Sequence, residues 1–306
     1  MKKALSIFIL SLGFFAFENI AYAQEEINKC WEFLGAWEFR KAIEAGKLAV
    51  EKYPKNSDAY YCLGEAYINV GELKLAYENM KKAESLTNNK KDLMYIYNKI
   101  GQILNMAHYS DDALVYYNKS LNLAKDLNNK NMQGIVLKNI ADVYYYDKKE
   151  FDKALDYYEK SLKNLQTNKS SKAAIYTNAA FIYKKKGDYQ KAVKYFQKAI
   201  EIDEEYESYD SVSINKLNIG NVYREMGDYS NAEKYLLEVV GDTIKRRNRW
   251  LEARSYRYLG WLYRDKGDKK AAKDYYNRAY NLFKDMLLDS EAEEVLNDLK
   301  AIEESK

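Results

Sequence analysis

The chain has 306 residues, and its 49 Lys and Arg against 46 Asp and Glu leave a formal net charge of +3, which gives little attraction to nucleic acid. It contains one proline and 13 glycines, too few for a strand-and-turn protein or a disordered chain, so the composition indicates an all-α protein. One histidine and two cysteines leave little material for a metal centre or a histidine-based catalytic site, and we predict no enzyme activity, no metal and no cofactor.

The first predicted element is a cleavable signal peptide over residues 1–23. Two lysines precede an uncharged, mostly apolar run over residues 4–17, and Ala-Tyr-Ala at 21–23 has the small-x-small pattern that signal peptidase cuts. A membrane anchor is the alternative, but the run is shorter than the roughly 20 residues that cross a bilayer, and Glu18 interrupts it. We therefore expect cleavage before Gln24 and export of a soluble chain, without a transmembrane span, to a periplasm or the cell exterior.

Residues 24–288 repeat one pattern. Leu-Gly-x-x-Tyr at 63–67 recurs as Ile-Gly-x-x-Tyr at 219–223 and as Leu-Gly-x-x-Tyr at 259–263. Each copy is followed by Gly-Asp or Gly-Glu, and an alanine comes five residues after that glycine. This spacing resembles the tetratricopeptide repeat family, and the resemblance covers nearly all of the mature chain. The alignment gives seven repeats, which start near residues 23, 57, 94, 134, 173, 213 and 253.

The resemblance implies a right-handed α-solenoid of about seven helix-turn-helix units. In each unit a small residue of the first helix lets the second helix approach closely, and stacked neighbours supply the stability that one pair of helices lacks. These small residues are Gly64, Gly101, Ala141, Ala180, Gly220 and Gly260. The later repeats are about 40 residues long, like those of kinesin light chains and bacterial peptide-pheromone receptors. We expect longer second helices, or longer turns, to hold the extra residues.

The two cysteines belong to consecutive repeats. Cys30 and Cys62 are expected on first helices that lie side by side. In an oxidising compartment they can pair in only one way, and a disulfide would tie the degenerate first repeat to the second. The alternative is that each cysteine is a small apolar filler of a helix interface. Both interpretations stay open on the sequence alone.

Residues 289–306 are predicted to form a C-terminal capping helix. Ser290 and Glu293 have the spacing of a capping box. The apolar residues that follow fall on one helical face, and they are Ala292, Val295, Leu296, Leu299 and Ile302. We expect this helix to cover the exposed side of the seventh repeat, and the alternative is a helix exchanged between two copies of the chain.

In the tetratricopeptide repeat family, fixed positions of each first helix face the concave surface. At one such position three consecutive repeats carry asparagine, namely Asn139, Asn178 and Asn218. An amide has both a donor and an acceptor, so it can pair with the main chain of an extended peptide. The other predicted groove residues are Lys138, Asp142, Tyr145, Phe181, Lys184, Asn221, Arg224, Arg254, Arg257, Trp261 and Arg264. The alternative is that these amides bond only to neighbouring helices.

These patterns predict a non-enzymatic scaffold of the cell envelope that grips an extended protein or peptide segment. The C-terminal half of the groove is predicted to be basic, which favours a partner segment with an acidic end and not nucleic acid. The carboxylate clamp of heat-shock co-chaperones is not matched, because Asp142, Ile214 and Asn218 stand where it has Asn, Lys and Arg. The alternatives are a self-assembling structural scaffold, which would be a homo-oligomer, and a ligand-sensing subunit of an envelope complex.

Overall fold

A computed structural model describes residues 25–165 and 167–304, so the predicted signal peptide lies outside the described residues. The described residues form 15 helices and no strand, which confirms the all-α solenoid fold. None of the helices in these two ranges is long and apolar enough to cross a membrane. The chain divides into two compact units, Met1–Asn168 and Lys169–Lys306.

The first unit is a stack of four helical hairpins, in which each helix packs against the next one along the chain. Its helices are α1 (Glu25–Gly35), α2 (Phe39–Lys52), α3 (Ser57–Asn69), α4 (Leu73–Leu86), α5 (Lys90–Met106), α6 (Ser110–Asp126), α7 (Lys130–Tyr146) and α8 (Phe151–Asn164).

The second unit continues the same pattern with three hairpins and a final single helix. Its helices are α9 (Lys169–Lys185), α10 (Tyr189–Glu205), α11 (Tyr209–Glu225), α12 (Tyr229–Arg246), α13 (Arg249–Asp265), α14 (Lys269–Asp285) and α15 (Asp289–Glu304).

The extra residues of the longer repeats extend both helices of a hairpin. The first helix grows from 13 residues in α3 to 17 in α11, and the second grows from 14 residues in α4 to 18 in α12. The connections stay short throughout. From α5 onward, the first helices begin four residues before the repeat starts that the alignment gives. The repeat starts were counted from the Gly/Ala contact in the middle of each hairpin, and the spacing of that contact does not reveal a turn added at the start of the first helix.

That contact works as the family pattern implies. A Cβ atom added at Gly101 would lie 2.6 Å from the ring of Tyr117, and one added at Gly220 would lie 2.8 Å from Leu236. Both of these partner side chains are buried and come from the second helix of the same hairpin. The absence of a side chain on the first helix therefore makes room for a large side chain from the second.

The two cysteines lie in the first two hairpins. Cys30 of α1 and Cys62 of α3 are fully buried and joined by a disulfide, with 6.3 Å between their Cα atoms. Leu34, Ala42 and Ala66 pack around them. The bond closes a loop between residues 32 positions apart, so it links the first hairpin covalently to the second.

The last helix, α15, packs on α14 and buries Ala292, Val295 and Ile302. Two expectations about it are wrong. Leu296, expected among the buried residues, is exposed. Ser290 is not the N-cap, since the carbonyl of Leu288 accepts the first helical hydrogen bond and Ser290 already lies inside the first turn.

Candidate binding surface on the first helices

In the first unit, the groove residue Asn139 contacts a neighbouring helix. Its Nδ2 donates a hydrogen bond of 2.9 Å to Oδ1 of Asn98 on α5, and both side chains are buried. Asn98 is the ninth residue of its helix and Asn139 the tenth of the next first helix. At this position the amide bonds to a neighbouring helix, which is the alternative to peptide binding, because its donor is used within the protein.

The other predicted groove residues of α7 are also engaged. Nζ of Lys138 lies 2.6 Å from Oδ2 of Asp142, and the hydroxyl of Tyr158 donates to Oδ1 of the same carboxylate at 2.5 Å. Tyr145 packs edge-on against Tyr146, with 4.5 Å between ring centroids, and burial raises its pKa to about 12. These side chains stabilise one another and leave Asp142 charge-compensated.

In the second unit, two of the predicted groove cations form ion pairs with the following first helix. Nζ of Lys184 lies 2.8 Å from Oε1 of Glu225, and Arg224 pairs with Asp265. Each cation is the sixteenth residue of its helix and each carboxylate the seventeenth of the next first helix. Oδ1 of Asn221 accepts a bond of 2.9 Å from Nε of Arg224. Both ion pairs therefore join the sixteenth residue of one first helix to the seventeenth of the next, and they link successive first helices of this unit.

Three more predicted groove residues of this unit differ in burial. Phe181 is half-buried and packs edge-on against Phe196, with 5.1 Å between ring centroids. Asn178 is half-buried, whereas Asn218 is 8% exposed and makes no hydrogen bond within the described ranges. The structure thus places Asn178 and Asn218 on α9 and α11 of the second unit and Asn139 in the first.

Two predicted groove residues of α13 contact acidic side chains of α15. Nε of Arg257 lies 2.7 Å from Oδ2 of Asp298, and Glu294 pairs with the same guanidinium. The indole Nε1 of Trp261 donates to Asp298 at 3.1 Å, and the guanidinium of Arg257 lies 4.9 Å from the ring centroid. The capping helix therefore supplies the carboxylates that the prediction expected from a partner.

Four of the predicted groove cations of the second unit, Lys184, Arg224, Arg257 and Arg264, therefore have a carboxylate of the chain beside them. Arg264 also has a carboxylate beside it, since its Nε lies 3.0 Å from Oδ1 of Asp265. Glu225 and Asp265 were not predicted as groove residues, although each directly follows a predicted arginine in the sequence.

One row of side chains on α13 was only partly identified from the sequence. Trp250, Arg254, Tyr258 and Trp261 recur at intervals of four, four and three residues and so share one helical face. The guanidinium of Arg254 lies 4.7 Å from the ring centroid of Trp250, and the rings of Tyr258 and Trp261 are also 4.7 Å apart. Trp250 and Tyr258 were missed, although their spacing from Arg254 could have revealed them. Arg254 has no carboxylate partner in the described part of the chain.

A buried hydroxyl lies behind this row. Tyr276 of α14 is fully buried against Gly260, and its hydroxyl has no hydrogen-bond partner among the residues described. Burial, together with the charge of Asp298, raises the pKa of Tyr276. At the corresponding place in the first unit, the hydroxyl of Tyr158 donates to Asp142. In the second unit Trp261 stands at the position of Asp142, so the hydroxyl of Tyr276 remains able to form a hydrogen bond.

Within the two described ranges, no group of three or more His, Cys, Asp or Glu side chains is arranged to hold a metal ion. His108 lies at the turn between α5 and α6, and its Nδ1 is 3.9 Å from Oδ1 of Asp147. Its side chain is 88% exposed, which suits a solvated turn residue.

Stacked helix-turn-helix hairpins within each unit define an α-solenoid scaffold, a class of fold that offers extended binding surfaces to proteins and peptides. A model of the tetratricopeptide repeat matches residues 92–167 and 171–241, and a second such model matches residues 46–78. The chain belongs to the tetratricopeptide repeat family. A further model, of a protein conserved in bacteria, matches residues 213–301.

A curated relative is a TPR repeat-containing protein of Methanocaldococcus jannaschii, which is 27% identical over 199 residues that cover 61% of this chain and 32% of the relative. The chain therefore spans about a third of the length of that relative.

Solved structures show the same fold at low identity. The STAND signal-transduction ATPase with a tetratricopeptide repeat sensor from Pyrococcus horikoshii matches with a TM-score of 0.72 and 20% identity, over 88% of this chain and 44% of that one. The apo form of RapI matches with a TM-score of 0.69 and 17% identity, over 86% and 77% of the two chains. A Rap protein complexed with Competence and Sporulation Factor matches with a TM-score of 0.59 and 15% identity, over 94% and 88%.

Proposed function

We propose that the chain is a non-enzymatic scaffold of the cell envelope that binds a protein or peptide segment on the first helices of its second unit. The observation that carries this proposal is the row Trp250, Arg254, Tyr258 and Trp261 on α13. Trp, Tyr and Arg are the side chains that contribute most to binding energy at protein interfaces. Arg254 is the one cation of this row, and its guanidinium has no carboxylate partner among the described residues.

The neighbouring helix supplies a group suited to a peptide main chain. Asn218, Tyr258 and Asp298 are each the tenth residue of their helices, α11, α13 and α15. They therefore form one row across the first helices of this unit. The amide of Asn218 makes no internal hydrogen bond within the described ranges, so it can pair with both main-chain groups of a bound segment. We expect such a segment to run along this row with an acidic side chain at Arg254.

The solved Rap protein supports binding of a ligand by a solenoid of this fold, since that structure is described as a complex with Competence and Sporulation Factor. At 15% identity the likeness concerns the fold alone. The ligand of the present chain therefore has to be found by experiment.

Site-specific photo-crosslinking tests this proposal. A photoreactive residue at Tyr258 should give a covalent adduct with one partner in living cells, because Tyr258 lies in the middle of the proposed surface. The matched control is a photoreactive residue at Leu237, which is 44% exposed on the second helix α12. The partner segment, mapped by mass spectrometry, should bind Arg254→Glu and Asn218→Ala at least tenfold more weakly than the wild type. Equal adducts at both sites, or unchanged binding to both variants, would refute the proposal.

We also propose that the chain is exported and loses residues 1–23. The signal pattern of the sequence supports this, and so does the disulfide between Cys30 and Cys62, because such bonds persist in oxidising compartments. The intact mass of the protein from its native source should match a chain that starts at Gln24 with two hydrogens fewer than its thiol form. A mass that includes Met1 together with free thiols would contradict export.

A further inference from the structure

The turns inside the hairpins of the second unit share one design. Gly187, Gly227 and Gly267 each adopt a positive φ, between 76° and 83°, that suits glycine. Each is followed by an aspartate that caps the second helix, and its carboxylate accepts a hydrogen bond from the main-chain N–H three residues later. These caps are Asp188, Asp228 and Asp268.

The first unit departs from this design in most of its turns. Trp37, His108 and Lys149 adopt positive φ angles of 62°, 63° and 56° with full side chains. The residues at the caps of its four second helices make no side-chain cap hydrogen bond, and they are Glu38, Glu72, Tyr109 and Glu150. A side chain in the left-handed region and a missing cap are both unfavourable.

The first of these turns forms a cleft. Trp37 is 67% exposed and packs edge-on against Phe39, with 5.8 Å between ring centroids, while Val70 of the next turn is 41% exposed. The cleft has a volume of about 420 Å³ and is lined by Trp37, Glu38, Phe39, Arg40, Lys41 and Val70. An exposed apolar surface of this kind does not stabilise the fold and is suited to binding.

The charges at the cleft indicate the chemistry of its occupant. Nζ of Lys41 lies 2.5 Å from Oε2 of Glu38, so these two charges neutralise each other. Arg40 is exposed and has no carboxylate or other partner in the part of the chain that the structure describes. A guanidinium beside an apolar cleft is complementary to a carboxylate next to a large apolar side chain.

We propose that this cleft binds a segment of a partner protein that inserts one large apolar side chain between Trp37 and Val70 and presents a carboxylate to Arg40. The surface belongs to the first unit and is independent of the row on α13, so either proposal can fail alone. A second copy of this chain is the competing occupant, and the experiment below distinguishes it.

The test uses the full mature chain with its disulfide intact as bait for a display library of random twelve-residue peptides. The selected peptides should carry an aromatic residue or leucine next to Asp or Glu. A synthetic peptide of the selected sequence should bind Trp37→Gly, Val70→Ser and Arg40→Glu at least tenfold more weakly than the wild type. Since Trp37→Gly places glycine at a left-handed position, loss of binding to this variant does not come from unfolding.

The matched control is Met226→Ser in the second unit. Met226 is 41% exposed, like Val70, and each of the two residues directly precedes a glycine with positive φ. This variant should bind the peptide as the wild type does. Selected peptides that bind Trp37→Gly undiminished, or that depend only on Arg254, would overturn the proposal, and so would the absence of any selected sequence. Wild-type self-association that Trp37→Gly abolishes would assign the cleft to a second copy and would equally overturn it.

Discussion

The two units of the chain are stabilised differently, although they are built from the same repeat. The second unit has glycine and a capping aspartate at every hairpin turn, and its last helix is held by the ion pair between Arg257 and Asp298. In the first unit, the second helices lack side-chain caps and three of the turns inside hairpins place a side chain at a left-handed position, but the unit contains the disulfide between Cys30 and Cys62. The repeat pattern thus fixes the helix interfaces, whereas the turns inside the hairpins differ between the two units.

The largest expected effect is loss of the disulfide. Replacement of Cys30 and Cys62 by alanine should destabilise the first two hairpins by about 3–4 kcal/mol, because the open chain regains the entropy that a loop of this size removes. Hydrogen exchange followed by mass spectrometry should show faster exchange in α1 to α4. Reductant should reproduce the effect in the wild type and leave the double variant unchanged. Exchange that stays at wild-type rates in the double variant would refute a stabilising role of the bond.

The second unit should respond most to reversal of a charge under its last helix. Arg257→Glu removes the charge-assisted bonds to Asp298 and Glu294 and should destabilise α15 by about 2–3 kcal/mol. Exchange should become faster over residues 289–304. The control is Lys273→Glu, whose pair with Glu303 is exposed and contributes less than about 1 kcal/mol. Equal effects of the two variants would contradict the assignment of Arg257 to the attachment of α15.

The first unit should also depend on pH through Asp58. Burial and the nearby charge of Asp92 raise the pKa of this carboxyl from 3.8 to about 6. A raised pKa in the folded state favours the protonated form, so the contribution is complete below about pH 4 and is lost as the pH rises through 6. Asp58→Asn should therefore stabilise α3 by about 2 kcal/mol at pH 7.5 and have little effect at pH 4. Stability profiles that run parallel from pH 4 to pH 7.5 would contradict this.

The smallest expected effects come from exchanging turn residues, and they have opposite signs in the two units. Gly227→Ala should cost about 1–2 kcal/mol, because it places a Cβ atom at a φ of 78°. His108→Gly should stabilise the first unit by about 1 kcal/mol for the same reason. Denaturant titration of both variants measures these changes. Effects of the same sign would mean that backbone strain does not distinguish the turns.

The sequence predicted the family and the hairpin interfaces because a missing side chain, as at Gly101, leaves a strict spacing. It could not predict the polar contacts between repeats, since Asn98 and Asn139 meet only through an offset of one residue between successive first helices. Only the cations were predicted as groove residues, so the carboxylates beside them, such as Glu225, were missed. Trp37 was missed because it stands where glycine is expected, in a repeat whose sequence is degenerate.

The most direct test of the central claim is to graft a turn of the second unit into the first. The triple variant Ala36→Lys, Trp37→Gly and Glu38→Asp carries the turn sequence of residues 186–188. The amide hydrogens of α1 and α2 should exchange more slowly, which corresponds to a gain of about 1–2 kcal/mol in the free energy of unfolding of these helices. The glycine removes the unfavourable side chain from the left-handed position, and the aspartate caps α2. It should also bind the selected acidic peptide at least tenfold more weakly. A graft that is no more stable than the wild type, or that binds the peptide equally well, would contradict the claim that the turn at Trp37 lowers stability and binds a partner.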